Sequence, residues 1–395
     1  MYNSLKPSHI REANMKQIIR LIRTSEEKLS RADISRKVSL SAPSVSKIIN
    51  ILLEAGILEE TEEGSSGSLG GRKPILLDIK KDCSYILGTY IEEEQLTFVV
   101  ADFGANIIDT VSYNYEVKEK CDCINLLIEK INMVLSRNKI EKEKLLSIGI
   151  SVPGVFDPEE GIIKFAPNIE IWEDIALKKK LNQEFDCQVS VENAVNAAVL
   201  GEKWQGKLNG CKNAIYLKLD KGIGAGILIN NSLYRGGNSI AGEVGYMVSD
   251  KEYISSQKNG YGSLESVCST KFIVKKAEKI LGKDNISFEV VIDEIKKGNK
   301  KLKVLIEEIN ELIAVAIANI ICVINPEKVV LGGEFTEIAQ SYKTDIMEII
   351  SRIVPSVPKL IFSELGNKVF YLGAIVQGLE NIEENLVYQY FEKTN

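Results

Sequence analysis

Histidine is almost absent from this 395-residue chain, and its scarcity excludes several kinds of chemistry. The single histidine is His9, so the rest of the chain has none to act as a general base or as a metal ligand. Long apolar runs are also missing: none approaches the roughly 20 residues that a membrane span needs, and no apolar signal segment opens the sequence. We therefore expect a cytoplasmic protein without a membrane partner.

Cysteine is present in an odd number and is scattered, which argues against a disulfide framework. Only Cys121 and Cys123 lie close together, and no second pair stands nearby to complete a four-ligand zinc site. We expect reduced, mostly buried thiols and no structural metal. The seven residues are Cys83, Cys121, Cys123, Cys187, Cys211, Cys268 and Cys322.

Charge is unevenly distributed along the chain. The net charge is -6, yet residues 1–81 carry 14 Lys and Arg against 10 Asp and Glu, and the remainder carries 35 against 45. A basic N-terminal unit on an acidic body is typical of a small DNA-binding module attached to a domain of another function, although ordinary scatter produces a surplus of this size too. The length itself predicts two or three packed units.

Residues 1–81 have the pattern of a winged helix-turn-helix. Residues 7–24 show helical apolar spacing, Ser30 and Ser41 are suited to cap two short helices, and Gly56 is suited to end the second. A Gly- and Ser-rich segment at 62–71 separates two predicted strands. A three-helix protein-interaction module is the alternative interpretation. On the helix that follows Ser41, the polar side expected to contact DNA carries Ser44, Ser46, Lys47 and Asn50.

Residues 82–395 have the pattern of an α/β domain with two lobes. A three-stranded meander is predicted from Tyr85, and paired strands open a second unit near residue 213. Two successive units of this kind predict two lobes around a cleft, the second beginning at about residue 213, although no internal sequence repeat supports a duplication.

Six short motifs, five of which contain glycine, then occur in a characteristic order. They are Ser151–Pro158, Ala166–Asn168, Gly222–Gly226, Ala241–Tyr246, Gly262–Glu265 and Asn325–Gly333. Together they resemble the ROK family, which groups bacterial repressors and sugar kinases on the actin-like ATPase fold, and most of all its xylose and N-acetylglucosamine repressor branch. The resemblance covers nearly the whole chain. It implies an α/β fold class, in which a winged helix-turn-helix precedes a two-lobed, sugar-kinase-like domain.

The same resemblance implies a sugar pocket and further DNA contacts. It assigns sugar contacts to the residues that match the family's motifs, with Trp172 near the rim of the pocket. These residues are Asn168, Asn193, Glu243, Tyr246 and Glu265. The segment Gly70–Pro74 matches the repressor branch, and its Arg72 and Lys73 are expected to contact phosphate or the minor groove.

The chain departs from the kinases of this family at the positions that carry their chemistry. Glu92, Glu93 and Glu94 stand where the phosphate-binding loop is expected, although a solvated hairpin turn explains them equally well. Ala194 replaces the Asp that acts as the general base. Tyr246 replaces a zinc-binding His, and residues 253–260 contain no Cys. The resemblance therefore implies no catalytic residues, no metal and no cofactor.

The resulting hypothesis is a ligand-gated repressor. Its partners are a palindromic operator, bound as a homodimer or a dimer of dimers, and a monosaccharide effector, for which xylose comes before glucose and N-acetylglucosamine. One alternative is a ROK-type sugar kinase with a regulatory head. Another is a protein-interaction module that docks to a sugar-transport component.

Overall fold

The N-terminal unit consists of helices followed by a small sheet. The computed structural model describes residues 7–25, 27–63, 73–117, 119–157, 159–248 and 262–394. Helices α1 (Pro7–Thr24), α2 (Arg31–Val38) and α3 (Ala42–Glu54) surround an apolar centre. Strands β1 (Leu29–Ser30), β2 (Leu58–Glu63) and β3 (Ile75–Ile79) form a three-stranded sheet in the order β1-β3-β2. These helices and strands occur in the order that a winged helix-turn-helix requires.

Local side-chain chemistry explains where these helices begin and end. The hydroxyl of Ser30 accepts a hydrogen bond from the backbone N–H of Asp33, whose carboxylate accepts one from the N–H of Ser30 in return. Ser41 caps α3 by accepting from the N–H of Ser44. Gly56 follows α3 with a φ of +69°, a conformation that costs glycine little. Each of these signals lies within a few residues of the helix that it delimits.

The body contains two five-stranded sheets of the same construction. The first sheet has the order β10-β7-β4-β5-β6, in which β4, β5 and β6 are antiparallel and β7 and β10 add to β4 in parallel. The second sheet has the order β13-β12-β11-β14-β15, in which β11, β12 and β13 are antiparallel and β14 and β15 add to β11 in parallel. The two sheets therefore share one topology, although the sequence contains no internal repeat that indicates it. The strands are β4 (Tyr85–Ile91), β5 (Gln95–Asp102), β6 (Ile107–Asn114), β7 (Leu145–Val152), β8 (Val155–Asp157), β9 (Ile162–Phe165), β10 (Gln188–Asn193), β11 (Ala214–Leu219), β12 (Ile223–Ile229), β13 (Ser232–Leu233), β14 (Lys328–Gly332) and β15 (Lys359–Phe362), of which β8 and β9 form a separate pair.

Helices cover both sheets, and three apolar clusters fill the body. One lies between the first sheet and α4, another between the second sheet and α10, and a third between the two sheets. The helices are α4 (Lys120–Arg137), α5 (Leu177–Glu184), α6 (Ala194–Gln205), α7 (Glu265–Cys268), α8 (Thr270–Leu281), α9 (Phe288–Lys296), α10 (Lys300–Ile324), α11 (Thr336–Ala339), α12 (Lys343–Ile353) and α13 (Lys368–Thr394). Among the described residues, no helix combines the length and apolar composition that a membrane crossing requires.

The C-terminal helix α13 does not follow the expected division into lobes at about residue 213. Instead of staying with the second sheet, α13 returns to the first sheet and to α6. A Cβ atom at Gly149 of β7 would lie 2.0 Å from the carbonyl oxygen of Ala374, and one at Gly373 would lie 1.8 Å from that of Ala197. Only glycine allows backbones to approach so closely. The first lobe is therefore built from residues of the middle and of the end of the chain.

The cysteines are less buried than expected. All seven are free thiols, but only Cys123, Cys211 and Cys268 are buried, whereas Cys121 and Cys322 are exposed. A thiol behaves as a small apolar group and contributes little to folding wherever solvent reaches it, so nothing requires burial at every position.

Candidate functional site

A cleft of about 250 Å³ opens between the two sheets, at the ends of their parallel strands. In the first sheet Asn193 pairs with Val152, and in the second Lys218 pairs with Gly332, so the loops that follow these strands meet across the opening. All five predicted sugar-contacting residues line this cleft, which brings together positions spread over almost 100 residues of sequence. They are Asn168, Asn193, Glu243, Tyr246 and Glu265.

Asn193 occupies the junction between β10 and α6. Its side-chain oxygen accepts from the N–H of Val195 and caps α6, while its amide nitrogen donates to the carbonyl of Gly154 at 2.7 Å. The side chain is therefore fixed from two sides and reaches the cleft in a defined orientation. An amide held in this way keeps one N–H available for a ligand hydroxyl.

Glu243 and Glu265 place two carboxylates on one side of the cleft. Burial, together with the nearby charge of Glu265, raises the pKa of Glu243 to about 7. Burial also raises the pKa of Glu265, although the N–H of Ile223, which donates to this carboxylate at 2.8 Å, opposes the shift. Two desolvated carboxyl groups are strong hydrogen-bond partners for the hydroxyls of a polyol.

Tyr246 and Asn168 complete the polar lining. Tyr246 lies in a short helical turn over 244–246 and is 43% exposed, so its phenol borders the opening of the cleft. A Cβ atom at Gly222 would lie 3.8 Å from the amide nitrogen of Asn168 and 3.4 Å from a carboxylate oxygen of Glu265, so Asn168 and Glu265 approach the same part of the cleft. A phenol and an amide both donate and accept, which suits them to neighbouring hydroxyl groups.

Ala194 lies in the cleft wall, at the first position of α6. Its methyl group has no atom that can accept a proton. The neighbouring carboxylate, Glu192, is 1% exposed, is absent from the cleft lining and is bonded to Arg235. Glu192 therefore does not substitute for the missing base in this arrangement.

The remaining half of the cleft carries mainly acidic groups. Glu92 and Glu93 line it as predicted, but Glu94 lies outside it, because successive side chains of the β4–β5 turn point in different directions. Burial raises the pKa of Glu92. Glu93 pairs with Lys221 at 3.2 Å. Glu92 and Glu93 thus lie in a hairpin turn that is also part of the cleft wall, so the hairpin interpretation and the cleft interpretation of these residues are compatible.

Three further charged residues of this half were not predicted from the sequence. Lys218 lies 3.5 Å from Asp220, and Glu334 follows the glycines that end β14. Burial alone lowers the pKa of Lys218, but the adjacent Tyr90 and Asp220 raise it above its ordinary value. The sequence could have indicated these three residues as cleft residues, since each lies at the carboxyl end of a parallel strand, where ligands of α/β proteins bind.

The overall charge of the lining is unfavourable for phosphate. In the part of the chain that the structure describes, six carboxylates face two ammonium groups around the cleft. Like charges at 4 Å repel by about 1 kcal/mol even at the dielectric constant of water. The cleft therefore suits a neutral ligand better than a nucleotide.

The prediction that Trp172 lies near the rim is wrong. Trp172 is fully buried in the first lobe's core, and its indole N–H donates to the hydroxyl of Tyr115 at 2.8 Å. Its apolar ring gains more from burial than from solvent contact, and Tyr115 satisfies its only polar atom.

A polar helix face forms the candidate DNA-binding surface. Ser44, Lys47 and Asn50 of α3 are exposed and Ser46 is half-buried, whereas Val45 and Ile48 point into the core. Two of these groups already have partners within the unit. Ser44 shares a hydrogen bond with Ser41, and the side-chain oxygen of Asn50 accepts from Arg31 at 2.8 Å.

The hairpin contributes less to this surface in the part that is described. Lys73 is exposed beside the start of β3. Arg72 and the segment 64–72 lie outside the described residues, as do 253–260, where the absence of zinc-binding cysteines was noted. These positions remain predictions from the sequence.

Comparison with known proteins adds three findings. The model of the ROK family matches residues 94–376. The chain is 29% identical over 337 residues to a protein of Caldicellulosiruptor bescii named xylose repressor, which covers 82% of this chain and 84% of that protein. A ROK family transcriptional regulator, described as a homologue of the Escherichia coli Mlc protein, has a similar structure: the TM-score is 0.82 at 23% identity, over 96% of this chain and 98% of that one.

A kinase of known structure is similar over a smaller part of the chain. The ROK hexokinase from Thermus thermophilus has a TM-score of 0.67 at 21% identity, and it covers 76% of this chain although 99% of the hexokinase is matched. The body therefore has the fold of a sugar kinase, and about a quarter of this chain has no counterpart there.

Proposed function

Because the chain belongs to the ROK family, we propose that it is a sugar-responsive transcriptional repressor of carbohydrate-utilisation genes. One observation carries the proposal: the cleft keeps polar residues at all five sugar-contacting positions, yet has Ala194 at the position of the catalytic base. A site that binds sugar without transforming it is what a sensor requires.

DNA binding is assigned to the N-terminal unit. The exposed side of α3 is proposed to enter the major groove, with Lys47 on a phosphate or base and Lys73 at the adjacent backbone. We propose that the protein binds as a homodimer or a dimer of dimers, so that a palindromic operator presents half-sites about one helical turn apart, or a multiple of this distance.

The effector is proposed to be an unphosphorylated monosaccharide. Carboxylates dominate both halves of the cleft, so a sugar phosphate would bring two further negative charges against them. Xylose is the first candidate, because relatives that match most of this chain are named xylose repressors. Glucose and N-acetylglucosamine come next.

Sugar kinase activity, the alternative function, is supported by the fold that the body shares with hexokinases. The chemistry of the cleft opposes it. Loss of a general base typically lowers the rate by about 10² to 10⁴, and Glu92 and Glu93 add repulsion where phosphate would bind. We expect a coupled assay to detect no sugar-dependent ATP turnover. Turnover at ordinary kinase rates would replace the sensor proposal with a catalytic one.

The proposal is tested by an operator titration with and without sugar. Genomic fragments that bind the full-length protein are first selected by mobility shift, and the titration is then repeated with D-xylose, D-glucose and N-acetylglucosamine. A thermal-shift screen identifies the ligand independently, since a ligand at about 100 times its Kd adds about 2.7 kcal/mol of stability. If no fragment binds, or no sugar changes the titration curve, the proposed function is wrong.

A further inference from the structure

Helix α13 begins at the wall of the cleft. Asn367, the residue before its first turn, lines the cleft. One turn later, the ring of Phe370 stacks on Tyr90, with centroids 4.6 Å apart, and the ammonium group of Lys218 lies 5.0 Å from the same ring. Both Tyr90 and Lys218 are cleft residues, so a ligand that moves either one acts directly on the start of α13.

The middle of α13 is tied to the sugar-contacting segment through one buried carboxylate. Gln377 donates to Glu192 at 3.3 Å, and the same carboxylate oxygen receives two hydrogen bonds from Arg235, at 2.9 and 2.6 Å. The carbonyl of Arg235 in turn accepts from the N–H of Ala241, two residues before Glu243. Glu192 thus connects α13 with the segment that carries Glu243.

The other carboxylate oxygen of Glu192 is bonded at the junction between β10 and α6, where Asn193 lines the cleft. It accepts from the backbone N–H of Asn193 at 3.0 Å and from the side chain of Asn196 at 2.9 Å. A carboxylate that is 1% exposed loses its hydration and depends on these donors for stabilisation. Any shift of Arg235 therefore requires Glu192 to find new partners, which favours discrete over gradual rearrangement.

The segment 375–382 of α13 also packs into the core of the DNA-binding unit. Ile375, Leu379 and Ile382 are buried in one cluster with Met15, Ile18, Ile19 and Ile22 of α1. Arg20 of α1 also pairs with Glu380 at 3.5 Å. From Lys368 to Ile382 the helix spans about 20 Å, so a single rigid element extends from the cleft to the DNA-binding unit.

We propose that α13 transmits sugar occupancy from the cleft to the DNA-binding unit, and that Glu192 is the positioning residue that links the sugar-contacting segment to it. The inference rests on the proposed function, because it needs a sugar that changes operator affinity. The inference identifies the element that transmits the change. The DNA-binding unit moves with α13, and Arg235 and Phe370 are the points at which the cleft acts on that helix. A sugar that favours one arrangement of the Glu192 hydrogen bonds thereby favours one orientation of α1.

The first test separates coupling from binding. Leu379→Ala weakens the contact between α13 and α1 at a position that does not line the cleft. Leu305→Ala is the matched control, since Leu305 is similarly buried but lies in the second lobe's core. Operator Kd is measured for each full-length protein with and without saturating D-xylose, and D-xylose Kd is measured by calorimetry.

The ratio of the two operator affinities is the readout. We expect D-xylose to change operator Kd by about 5- to 150-fold in the wild type and in Leu305→Ala. In Leu379→Ala we expect this ratio to fall below about 2-fold while the D-xylose Kd stays within about 3-fold of wild type. A wild-type ratio in Leu379→Ala overturns the inference and leaves the proposed function intact. If D-xylose, D-glucose and N-acetylglucosamine all leave the operator Kd of the wild-type protein unchanged, both the inference and the proposed function are wrong.

A second variant tests Glu192 itself. Glu192→Gln keeps the size of the side chain but turns an N–H₂ group toward Arg235 or Asn196. We expect D-xylose affinity and the operator ratio to fall together, with sugar-free operator affinity unchanged. A purely structural role would lower the thermal unfolding temperature and leave the operator ratio at its wild-type value, which would remove Glu192 from the pathway.

Hydrogen exchange on the wild-type protein decides the matter even if a variant does not fold. D-xylose should protect the amides of 241–246 and also change exchange at 375–382 and 13–22. Protection confined to 241–246, with α13 and α1 unchanged, would contradict transmission through this helix.

Discussion

Glu265 combines two tasks that substitution can separate. One carboxylate oxygen accepts a hydrogen bond from the buried N–H of Ile223 at 2.8 Å, and the carboxyl group also lines the cleft. Glu265→Ala removes both contributions. Glu265→Gln keeps an oxygen that accepts from Ile223 and removes only the charge.

The expected magnitudes follow from these contacts. Leaving the N–H of Ile223 without an acceptor costs about 1–3 kcal/mol of folding stability, so Glu265→Ala should unfold at a lower temperature than Glu265→Gln. Hydrogen bonds from sugar hydroxyls to a charged group are worth about 1.5–3 kcal/mol, which corresponds to about 10- to 150-fold in affinity. Glu265→Ala should therefore raise the D-xylose Kd by this factor, and Glu265→Gln by less.

Calorimetric titration with D-xylose and thermal unfolding measure the two effects in the same samples. Operator affinity without sugar is the control, and we expect it to equal that of the wild type, since Glu265 is remote from α3 in the fold. The reasoning is refuted if Glu265→Ala binds D-xylose as tightly as the wild type does. Equal unfolding temperatures for the two variants would refute the structural role of the bond to Ile223.

Three further outcomes are expected. The pKa of Glu243 is raised to about 7 from 4.5, so this group stabilises the fold most below pH 4.5 and loses that contribution as the pH rises through 7. The unfolding temperature of Glu243→Gln should therefore exceed that of the wild type by an amount that grows from pH 5 to pH 8. A difference that stays constant over this range would contradict the shift. Lys47→Ala should weaken operator binding and, for a phosphate contact, lower the slope of log K against log salt by about 1, with Lys37→Ala on the neighbouring helix as the control. Ala194→Asp should still show no sugar-dependent ATP turnover in a coupled assay, because Glu92 and Glu93 remain beside the position of the phosphates; recovery at kinase rates would show that the base alone was missing.

The contact between α1 and α13 limits how DNA binding can be removed experimentally. Deleting residues 1–81 is an obvious way to remove DNA binding. In this fold, however, the deletion would expose Ile375, Leu379 and Ile382, which α1 covers. Exposed apolar surface of this kind favours aggregation, so point variants on α3 are the better probe.

Much of the local architecture was predictable, because its causes lie within a few residues. The caps at Ser30 and Ser41 and the turn at Gly56 depend on neighbours no more than four positions away. The meander that begins at Tyr85 and the paired strands after residue 213 were predicted for the same reason, since alternation and turn residues are local properties, whereas β10, β13 and β15 were not predicted. The five sugar-side residues were predicted from the resemblance, and the structure brings them to one cleft.

What only the tertiary structure decided concerns contacts between distant segments. Trp172 could have faced a ligand or a core, and the hydroxyl of Tyr115, 57 residues earlier, made the core position possible. The acidity of the cleft depends on Lys218, Asp220 and Glu334 meeting Glu92, and no periodicity in any one segment encodes that encounter.

The sequence by itself determined the kinds of units in this protein and the residues that its chemistry lacks. Ala194 and the scarcity of histidine are readable without coordinates, because the absence of a functional group does not depend on packing. The path from the cleft to α1 was decided by folding alone. It depends on how closely α13 approaches the first sheet at Gly149, and on the buried carboxylate of Glu192 meeting Arg235 and Gln377. Such contacts depend on the packing of the whole chain, and a linear pattern does not contain them.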